Sequence, residues 1–326
     1  MKILVTGGAG FIGSNYVRRL AQSLTEKHEI YVLDALTYSG NLANLGSVLE
    51  LENVHFIHAD IRNSVVVESL MAKVDYCVNF AAESHVDRSI STPTEVVDSN
   101  FNGTLTLLEA ARENQIKKFV QISTDEVYGS ITHGTWTEES PLLPNSPYSA
   151  SKAASDLLVR SYSQTFGMQV NITRCTNNYG PYQFPEKLIP LFITNLVNGK
   201  NVPVYGSGLN VRDWLHVDDH CAAIDLVLQN GRSGEIYNIG GGLEITNIAL
   251  TTKLLNALGF DESRIDFVPD RKGHDLRYSM SYQKIAKELG YSPKVEFEVG
   301  FKETIDWYLQ NKQWWEPLLA NHVAQK

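Results

Sequence analysis

Two carboxyl residues, Asp125 and Glu126, stand side by side in the run Ser123-Thr124-Asp125-Glu126-Val127-Tyr128, and Tyr148 precedes Lys152 by four residues in the run YSASK. An acid beside a base suits an elimination, in which Asp125 gives a proton to a departing group while Glu126 removes one. That division requires their pKa values to be pushed apart, Asp125 upward. On a helix, a spacing of four puts Tyr148 and Lys152 on one face. A lysine ammonium there stabilises a phenolate and lowers the phenol's pKa. A place in the first helical turn acts in the same direction. Such a phenolate takes the proton from a hydroxyl whose carbon gives up hydride. By spacing alone, the acidic pair reads equally well as a solvated turn, and the Tyr–Lys spacing is common by chance.

Hydride needs an acceptor, and the N-terminus supplies a place for one. Val5 to Gly13 reads VTGGAGFIG, with Gly7, Gly10 and Gly13 in the pattern GxxGxxG. The pattern ends an apolar run and opens a helical one, the context in which glycines let backbone approach a pyrophosphate. The helix N-terminus then offers unpaired N–H groups and the positive end of its dipole. The second apolar run ends at Asp34, whose carboxylate can accept from adenosine ribose hydroxyls. It would repel a 2′-phosphate, which favours NAD over NADP. The competing reading is a glycine-rich turn without a ligand. Asp60 and Ile61 either flank the adenine or, for Asp60, form a surface turn.

These residues need a scaffold. Ile3 to Thr6, Ile30 to Leu33, Val54 to His58, Tyr76 to Phe80 and Phe119 to Ser123 read as buried strands. Helical patterns lie between them, among them Phe11 to Leu24 and Pro93 to Asn114. The alternation predicts a Rossmann-type, doubly wound parallel sheet in the α/β class. Ser140 to Pro147 reads as a loop, followed by a helix with Ser146 as N-cap and Pro147 at its first position. Beyond about residue 177 prolines and glycines punctuate the chain, with helical stretches at 188–199 and 246–258 and a polar loop from Pro269 to His274. We expect a NAD-binding domain over 1–176, joined again by part of 211–242. A smaller, mostly C-terminal substrate-binding domain over 177–326 is expected to be discontinuous and to cover the sheet's open edge.

Composition removes other classes. Of 326 residues 43% are hydrophobic and 20% charged, enough for full cores. A net charge of −9 disfavours nucleic acid and anionic membrane as partners. Cys77, Cys175 and Cys221 are scattered, which argues against a disulfide framework and against a zinc site or other metal. Reduced thiols fit a cytoplasmic protein. Neither a secretory signal nor a membrane span is expected.

At this point the chain resembles the extended short-chain dehydrogenase/reductases, and among them the dTDP-glucose 4,6-dehydratases. The resemblance rests on TGGAGFIGSN, DALTYSGNLANL, NFAAESHVDRSI, STDEVYG, SPYSASKAASD, TRCTNNYGPYQFPEKLIP, VYGSGLNVRDWLHVDDHC, YNIGGG, DRKGHDLRY and the tail WWEPL. Departures are mild: Thr176 stands where serine is expected, and Ser207 where aspartate is usual. The resemblance implies three steps. Tyr148, aided by Thr124 and Lys152, takes the proton of the sugar C4 hydroxyl as hydride passes to NAD. Glu126 then removes the C5 proton while Asp125 protonates the departing C6 hydroxyl. Hydride returns to C6 and a proton to C5, leaving a 4-keto-6-deoxy sugar nucleotide.

The same resemblance implies a wider set of contacts. Phe11, Ile12, Leu36, Thr37, Phe80, Ala81, Ala82, Ser84 and Asn178 join the cofactor contacts already named. On the substrate side, Arg212 and His274 hold the diphosphate, with Arg271 and Lys187 adding positive charge. Tyr205 stacks on the base beside Pro203, and Glu186 and Lys187 line the base pocket with Leu188. Asn177 and Asn247 bond the phosphates or sugar, and Ser84 and His85 lie near the sugar. Taken singly, Tyr205 reads as a core aromatic and His85 as a structural histidine. Trp307, Trp314 and Trp315 are expected only to pack the C-terminus. Leu105, Leu108, Ala150, Ala153 and Leu157 suggest that the helices at about 93–114 and 147–166 pair across a homodimer.

Three other readings compete. A sugar-nucleotide 4-epimerase shares the glycine loop and the Tyr–Lys pair but has no need of adjacent Asp125 and Glu126. A 4,6-dehydratase for another nucleotide, such as UDP-glucose, differs too little to separate by residues. A non-catalytic NAD-binding regulator has no reason to keep all four chemical residues.

Overall fold

The structure, a computed structural model, describes residues 1–23 and 27–324. Its strands are β1 (Lys2–Thr6), β2 (Glu29–Asp34), β3 (Val54–His58), β4 (Tyr76–Asn79), β5 (Lys118–Thr124), β6 (Val170–Cys175), β7 (Asn177–Tyr179), β8 (Val202–Tyr205), β9 (Val211–His216), β10 (Ile236–Ile239), β11 (Glu244–Thr246) and β12 (Ile265–Val268). Its helices are α1 (Phe11–Ala21), α2 (Ser64–Met71), α3 (Val86–Ser91), α4 (Pro93–Val97), α5 (Gly103–Glu113), α6 (Pro147–Phe166), α7 (Leu188–Val197), α8 (Val217–Asn230), α9 (Asn247–Ala257), α10 (Gln283–Leu289), α11 (Phe297–Gln310) and α12 (Lys312–Ala324).

Seven strands form one sheet in the order β3-β2-β1-β4-β5-β6-β10, and every neighbouring pair is parallel. A parallel sheet is covered on both faces, so its strands are nearly continuous apolar runs. Ile3, Leu4 and Val5 of β1 are fully buried, as are Phe119 and Val120 of β5. One face packs α1 and α8 through Tyr16, Val17, Ile224 and Val227. The other packs α2, α5 and α6 through Val67, Leu107, Leu108 and Val159. Strand order reverses between β1 and β4, which opens a crevice at their carboxyl ends. This is the Rossmann-type fold expected.

A third core joins α7, α9, α11 and α12 around Phe192, Leu254, Tyr308 and Trp315. Beside it lie two small sheets, β11-β9-β7 and β12-β8. The chain does not stay there: α8 and β10 return to the large sheet before α9 enters the third core. Residues around the third core face the carboxyl ends of the strands across one cleft, rather than an edge of the sheet. Gln325 and Lys326 lie outside the described residues.

Two helices differ from expectation. The first ends at Ala21, and the expected terminus Leu24 lies outside the described residues. The run Pro93 to Asn114 is helical but widens into a π turn over Asp98–Asn102, between α4 and α5. The cause is tertiary. Asn100 accepts the Glu83 N–H at 2.8 Å and donates to Ser151 Oγ at 2.8 Å. Its own carbonyl accepts from Thr104 and Ser155 hydroxyls at 2.6 and 2.7 Å. Side-chain hydroxyls thus serve a carbonyl in the stretch where the helix departs from regular α-helical pairing.

Candidate functional site

β5 ends at Thr124, and Asp125–Tyr128 form a 3₁₀ turn. Inside a strand, Asp125 and Glu126 would point to opposite faces; beyond its end, both line the same cleft. Thr124 caps the turn by accepting the Glu126 N–H at 3.2 Å, and its hydroxyl donates to Asp125 Oδ1 at 3.2 Å. Burial pushes Asp125 up to about 8, with Glu126 repelling its charge and Arg212 opposing the rise. Burial raises Glu126 as well, but Arg271, Lys187 and Arg212 all pull it back.

α6 begins where its sequence says it should. Ser146 accepts the Ser149 N–H at 3.1 Å and Ser149 Oγ returns the bond to the Ser146 N–H, a reciprocal cap ahead of Pro147. Tyr148 and Lys152 then face the cleft together. Their expected electrostatics needs correction. Burial raises the Tyr148 phenol well above its usual value, with Glu126 and Asp125 adding to the rise and Thr124 opposing it by a hydrogen bond. Lys152 is itself buried, and its Nζ donates to the Ile122 carbonyl at 2.6 Å. Burial lowers Lys152 and Asp156, one helical turn on, works against that fall.

The glycine turn leaves no room for side chains. Gly7 has φ +66°, and a Cβ there would sit 2.6 Å from Ala81 N; a Cβ on Gly13 would sit 2.3 Å from the Gly7 carbonyl oxygen. Gly10 begins α1 with no side-chain cap, which leaves first-turn N–H groups for an anion. Asp34 accepts the Ala9 N–H with Oδ2 and the Leu36 N–H with Oδ1, both at 2.8 Å. Burial raises its carboxyl and those two bonds oppose the rise. Each oxygen keeps a lone pair for a ribose hydroxyl. This bare backbone cradle with a carboxylate at its rim fits a dinucleotide.

One cleft of about 1370 Å³ collects nearly all expected residues, from Gly7, Gly10, Phe11, Ile12 and Thr37 through Phe80, Ala81, Ala82 and Asn178 to Pro203, Tyr205 and Asn247. Asp60 and Ile61 line it too, with Asp60 held lowered by Arg62 in an ion pair of 2.7 Å. Leu36 is the exception. Its φ of +49° turns the chain, and its side chain packs against the core around Ile3 and Val32.

The expected substrate cations lie in the same cleft. Arg212 lies over the Tyr278 ring at 4.2 Å and donates to the Val211 and Asp275 carbonyls at 2.7 and 2.9 Å, so part of its fork is engaged by the chain itself. Arg271 Nε is buried without a hydrogen-bond partner. His274 is held by Asp270 at 2.6 Å and meets the Tyr205 ring edge-on at 6.2 Å. Burial lowers its imidazole and the bond to Asp270 opposes the fall. Glu186 and Lys187, expected beside the base, line the same cleft. Glu186 accepts from the Tyr38 hydroxyl at 3.0 Å and sits 3.7 Å from His85, while Lys187 donates to the Ser84 carbonyl at 2.9 Å. Leu188 and Asn177 line the cleft nearby.

Several cleft residues were missed. Arg88 lies over Tyr38 at 3.9 Å, and half-buried Glu83 is raised by desolvation beside them. The blocks DALTYSG and AAESHVDRS contain all three, but nothing in their spacing brings them together. Among the described residues no group of three His, Cys, Asp or Glu is placed to hold a metal, and no helix is long and apolar enough to cross a membrane. The cysteines are buried and free.

Known proteins share this arrangement. The model of the GDP-mannose 4,6-dehydratase family matches residues 4–304. The chain is 56% identical over 322 residues to a dTDP-glucose 4,6-dehydratase of Streptomyces antibioticus, covering 98% of this chain and 95% of that one. A solved dTDP-glucose 4,6-dehydratase of Streptomyces venezuelae, with NAD bound, superimposes with TM-score 0.96 at 56% identity over 98% of this chain and 100% of its own. A UDP-glucose 4-epimerase of Thermotoga maritima, solved with UDP-glucose, reaches 0.88 at 31% identity over 96% and 100% of the two chains.

The glycine cradle yields a direct prediction. Gly13→Ala forces its Cβ on the Gly7 carbonyl, an overpacking that costs about 1–3 kcal/mol. We expect a folded protein with a lowered melting temperature that copurifies with little nucleotide. Wild-type amounts of NAD in the supernatant of the acid-denatured variant would contradict this.

Proposed function

We infer that this chain, which belongs to the GDP-mannose 4,6-dehydratase family, is an NAD-dependent hydro-lyase that turns dTDP-glucose into its 4-keto-6-deoxy derivative. The observation that carries the reading is the pair Asp125–Glu126 at the end of β5, a buried acid raised to about 8 beside a base surrounded by cations. An epimerase has no step that uses such a pair. The relatives at 51–56% identity named dTDP-glucose 4,6-dehydratase support the same choice of substrate.

The cradle of Gly7, Gly10, Gly13 and Asp34 holds NAD, which when bound takes hydride from C4 of the sugar and returns it to C6. The chain's own residues handle protons. Tyr148 accepts the proton of the C4 hydroxyl, with Thr124 bonding the same oxygen. Its phenolate is opposed by neighbouring carboxylates, so a protonated Asp125 lowers the cost of forming it. Glu126, kept ionisable by Arg271, Lys187 and Arg212, removes the C5 proton made acidic by the adjacent ketone. Asp125 delivers its proton to the C6 oxygen, and water departs. Glu126 then returns a proton to C5. Arg212 and His274 receive the diphosphate, with Arg271 and Lys187 adding positive charge, and Tyr205 receives the base, with Asn247 and Asn177 bonding phosphate or sugar.

Three coarser features complete the reading. We divide the chain into a cofactor part, 1–176 with the returning α8 and β10, and a substrate part formed by the rest of 177–326. Three buried free thiols support a cytoplasmic enzyme. Exposed Val97, Leu157 and Phe166 lie on α4 and α6, and we propose that two copies pair there as a homodimer. A sedimentation velocity run at micromolar protein should give the mass of a dimer; a single species at 36.4 kDa would rule the pairing out.

Incubation with dTDP-glucose in deuterated water, without added cofactor, tests the reaction. We expect loss of one water and deuterium at C5, seen by NMR and mass spectrometry, with UDP-glucose and GDP-mannose turned over more slowly. Epimerised sugar with its water retained would transfer the chain to the epimerases.

The acid's position on the pH scale gives a second test. Asp125 acts while protonated, so the rate of water loss falls as pH rises through about 8, roughly tenfold per pH unit beyond it. Asp125→Asn should remove this limb and slow water loss by about 10²–10⁴-fold, leaving the first hydride transfer observable as reduced nicotinamide. A variant that never reduces its nucleotide would show that Asp125 acts earlier than assigned.

A further inference from the structure

Behind the acidic turn, away from the cleft, four side chains from four separate elements are bonded in series. Asp156 of α6 and Arg174 of β6 form an ion pair at 2.9 Å, with side chains 1% and 3% exposed. Arg174 Nη1 donates to the Tyr128 hydroxyl at 2.7 Å, and that hydroxyl donates to Asn238 Oδ1 of β10 at 2.8 Å. The Arg174 guanidinium also lies 4.8 Å from the centre of the Tyr128 ring, which stacks with Trp136 at 6.1 Å. Asn238 is fixed in turn by its N–H to Glu138 at 2.9 Å. None of Tyr128, Arg174, Asp156 and Asn238 lines the cleft.

Burying an ion pair is costly unless its geometry serves something, and removal of one partner leaves an unpaired charge. What this one joins is specific. Tyr128 is the last residue of the turn that carries Asp125 and Glu126. Asp156 lies one helical turn beyond Lys152 on the helix that carries Tyr148. We propose that Tyr128, Arg174 and Asp156 are positioning residues, a buried strut that sets the acid–base turn against the Tyr148–Lys152 pair. The proposal rests on the reading of the site as a dehydratase. It assigns the strut to the step that uses Asp125 and Glu126 together, because two atoms of the sugar must be reached at once from a turn of four residues. Misplacement on the order of 1 Å at such a site costs about 100-fold.

The electrostatics agrees with the geometry. Asp156 favours the charged form of Lys152 against its burial, and Arg174 and Asn238 oppose the rise that burial imposes on Tyr128. The strut therefore touches both halves of the chemistry without touching substrate.

Tyr128→Phe keeps the ring and removes only the hydroxyl, and Arg174→Lys keeps a positive partner for Asp156 while losing the reach to Tyr128. Each is compared with the wild type in single turnovers with dTDP-glucose, following reduced nicotinamide and release of water. Amide hydrogen exchange over 125–129 and the melting temperature are measured in parallel. We expect the first hydride transfer within about twofold of wild type and water loss slowed on the order of 10- to 100-fold. Reduced nicotinamide should accumulate and exchange over the turn should quicken. Wild-type kinetics in Tyr128→Phe overturns the strut. So does an equal slowing of both steps with a lowered melting temperature, which marks a merely structural network. A wild type that reduces its nucleotide yet releases no water overturns the dehydratase reading instead, and the strut's assignment with it.

Discussion

Asp125 and Glu126 bring two potential negative charges to the end of a strand from which water is largely excluded. Two unit charges about 4 Å apart repel by about 4 kcal/mol at an effective dielectric of about 20. Moving a carboxyl from 3.8 to about 8 disfavours its charged form by about 6 kcal/mol relative to an ordinary exposed one; desolvation is the larger cause, with repulsion from Glu126 second. The surroundings then break the symmetry of the pair. Three cations act on Glu126, whereas Asp125 faces Glu126 with Arg212 as its main opponent. The same burial that would disable an isolated carboxylate thus suits Asp125 to the acid's part in the proposed reaction, while its cations suit Glu126 to the base's.

That arrangement depends on where β5 stops. Had the strand continued past Thr124, the pleat would send the two carboxyls to opposite faces of the sheet. The turn exists because Thr124 caps it from within and because Gly129 closes it at φ +78°, with the Leu143 carbonyl 2.3 Å from where a Cβ would stand. The sheet's strand order does the rest. Its reversal between β1 and β4 opens the crevice, and β5 lies next to β4. The glycine cradle at the end of β1 and the acidic turn at the end of β5 therefore line one cleft.

What could be read in advance followed the range of the physics involved. Strands of the parallel sheet appear as apolar runs because burial on both faces is a local demand on composition. The Ser146–Pro147 start of α6 and the glycine cradle are legible for the same reason, as each is written within a few consecutive residues. Asn100 is different: its π turn answers bonds to Glu83 and Ser151, which no local pattern announces. Tyr38, Glu83 and Arg88 meet only because the β2 and β4 loops fold over one another. Leu36 fails as a cleft residue because a positive φ turns its side chain into the core, a detail hidden from residue type. The Tyr148 phenol was expected to be lowered from one neighbour, Lys152; burial and the carboxylates beyond its own helix decide the direction.

Under the proposed function, the last point orders the chemistry. A Tyr148 phenolate beside two carboxylates concentrates three negative charges, and the site has reason to avoid that state. With Asp125 neutral, one of the three is removed before the phenolate forms. Once Tyr148 has taken the hydroxyl proton it too is neutral, and Glu126 faces the C5 proton as the main remaining anion of the group. Its cations, Arg271, Lys187 and Arg212, then favour the carboxylate that elimination requires. When Asp125 gives up its proton to the departing oxygen, Glu126 has just gained one, so the pair never carries two full charges. In the proposed cycle, the order in which these groups hold and release protons is enough to put oxidation before elimination within a single cleft.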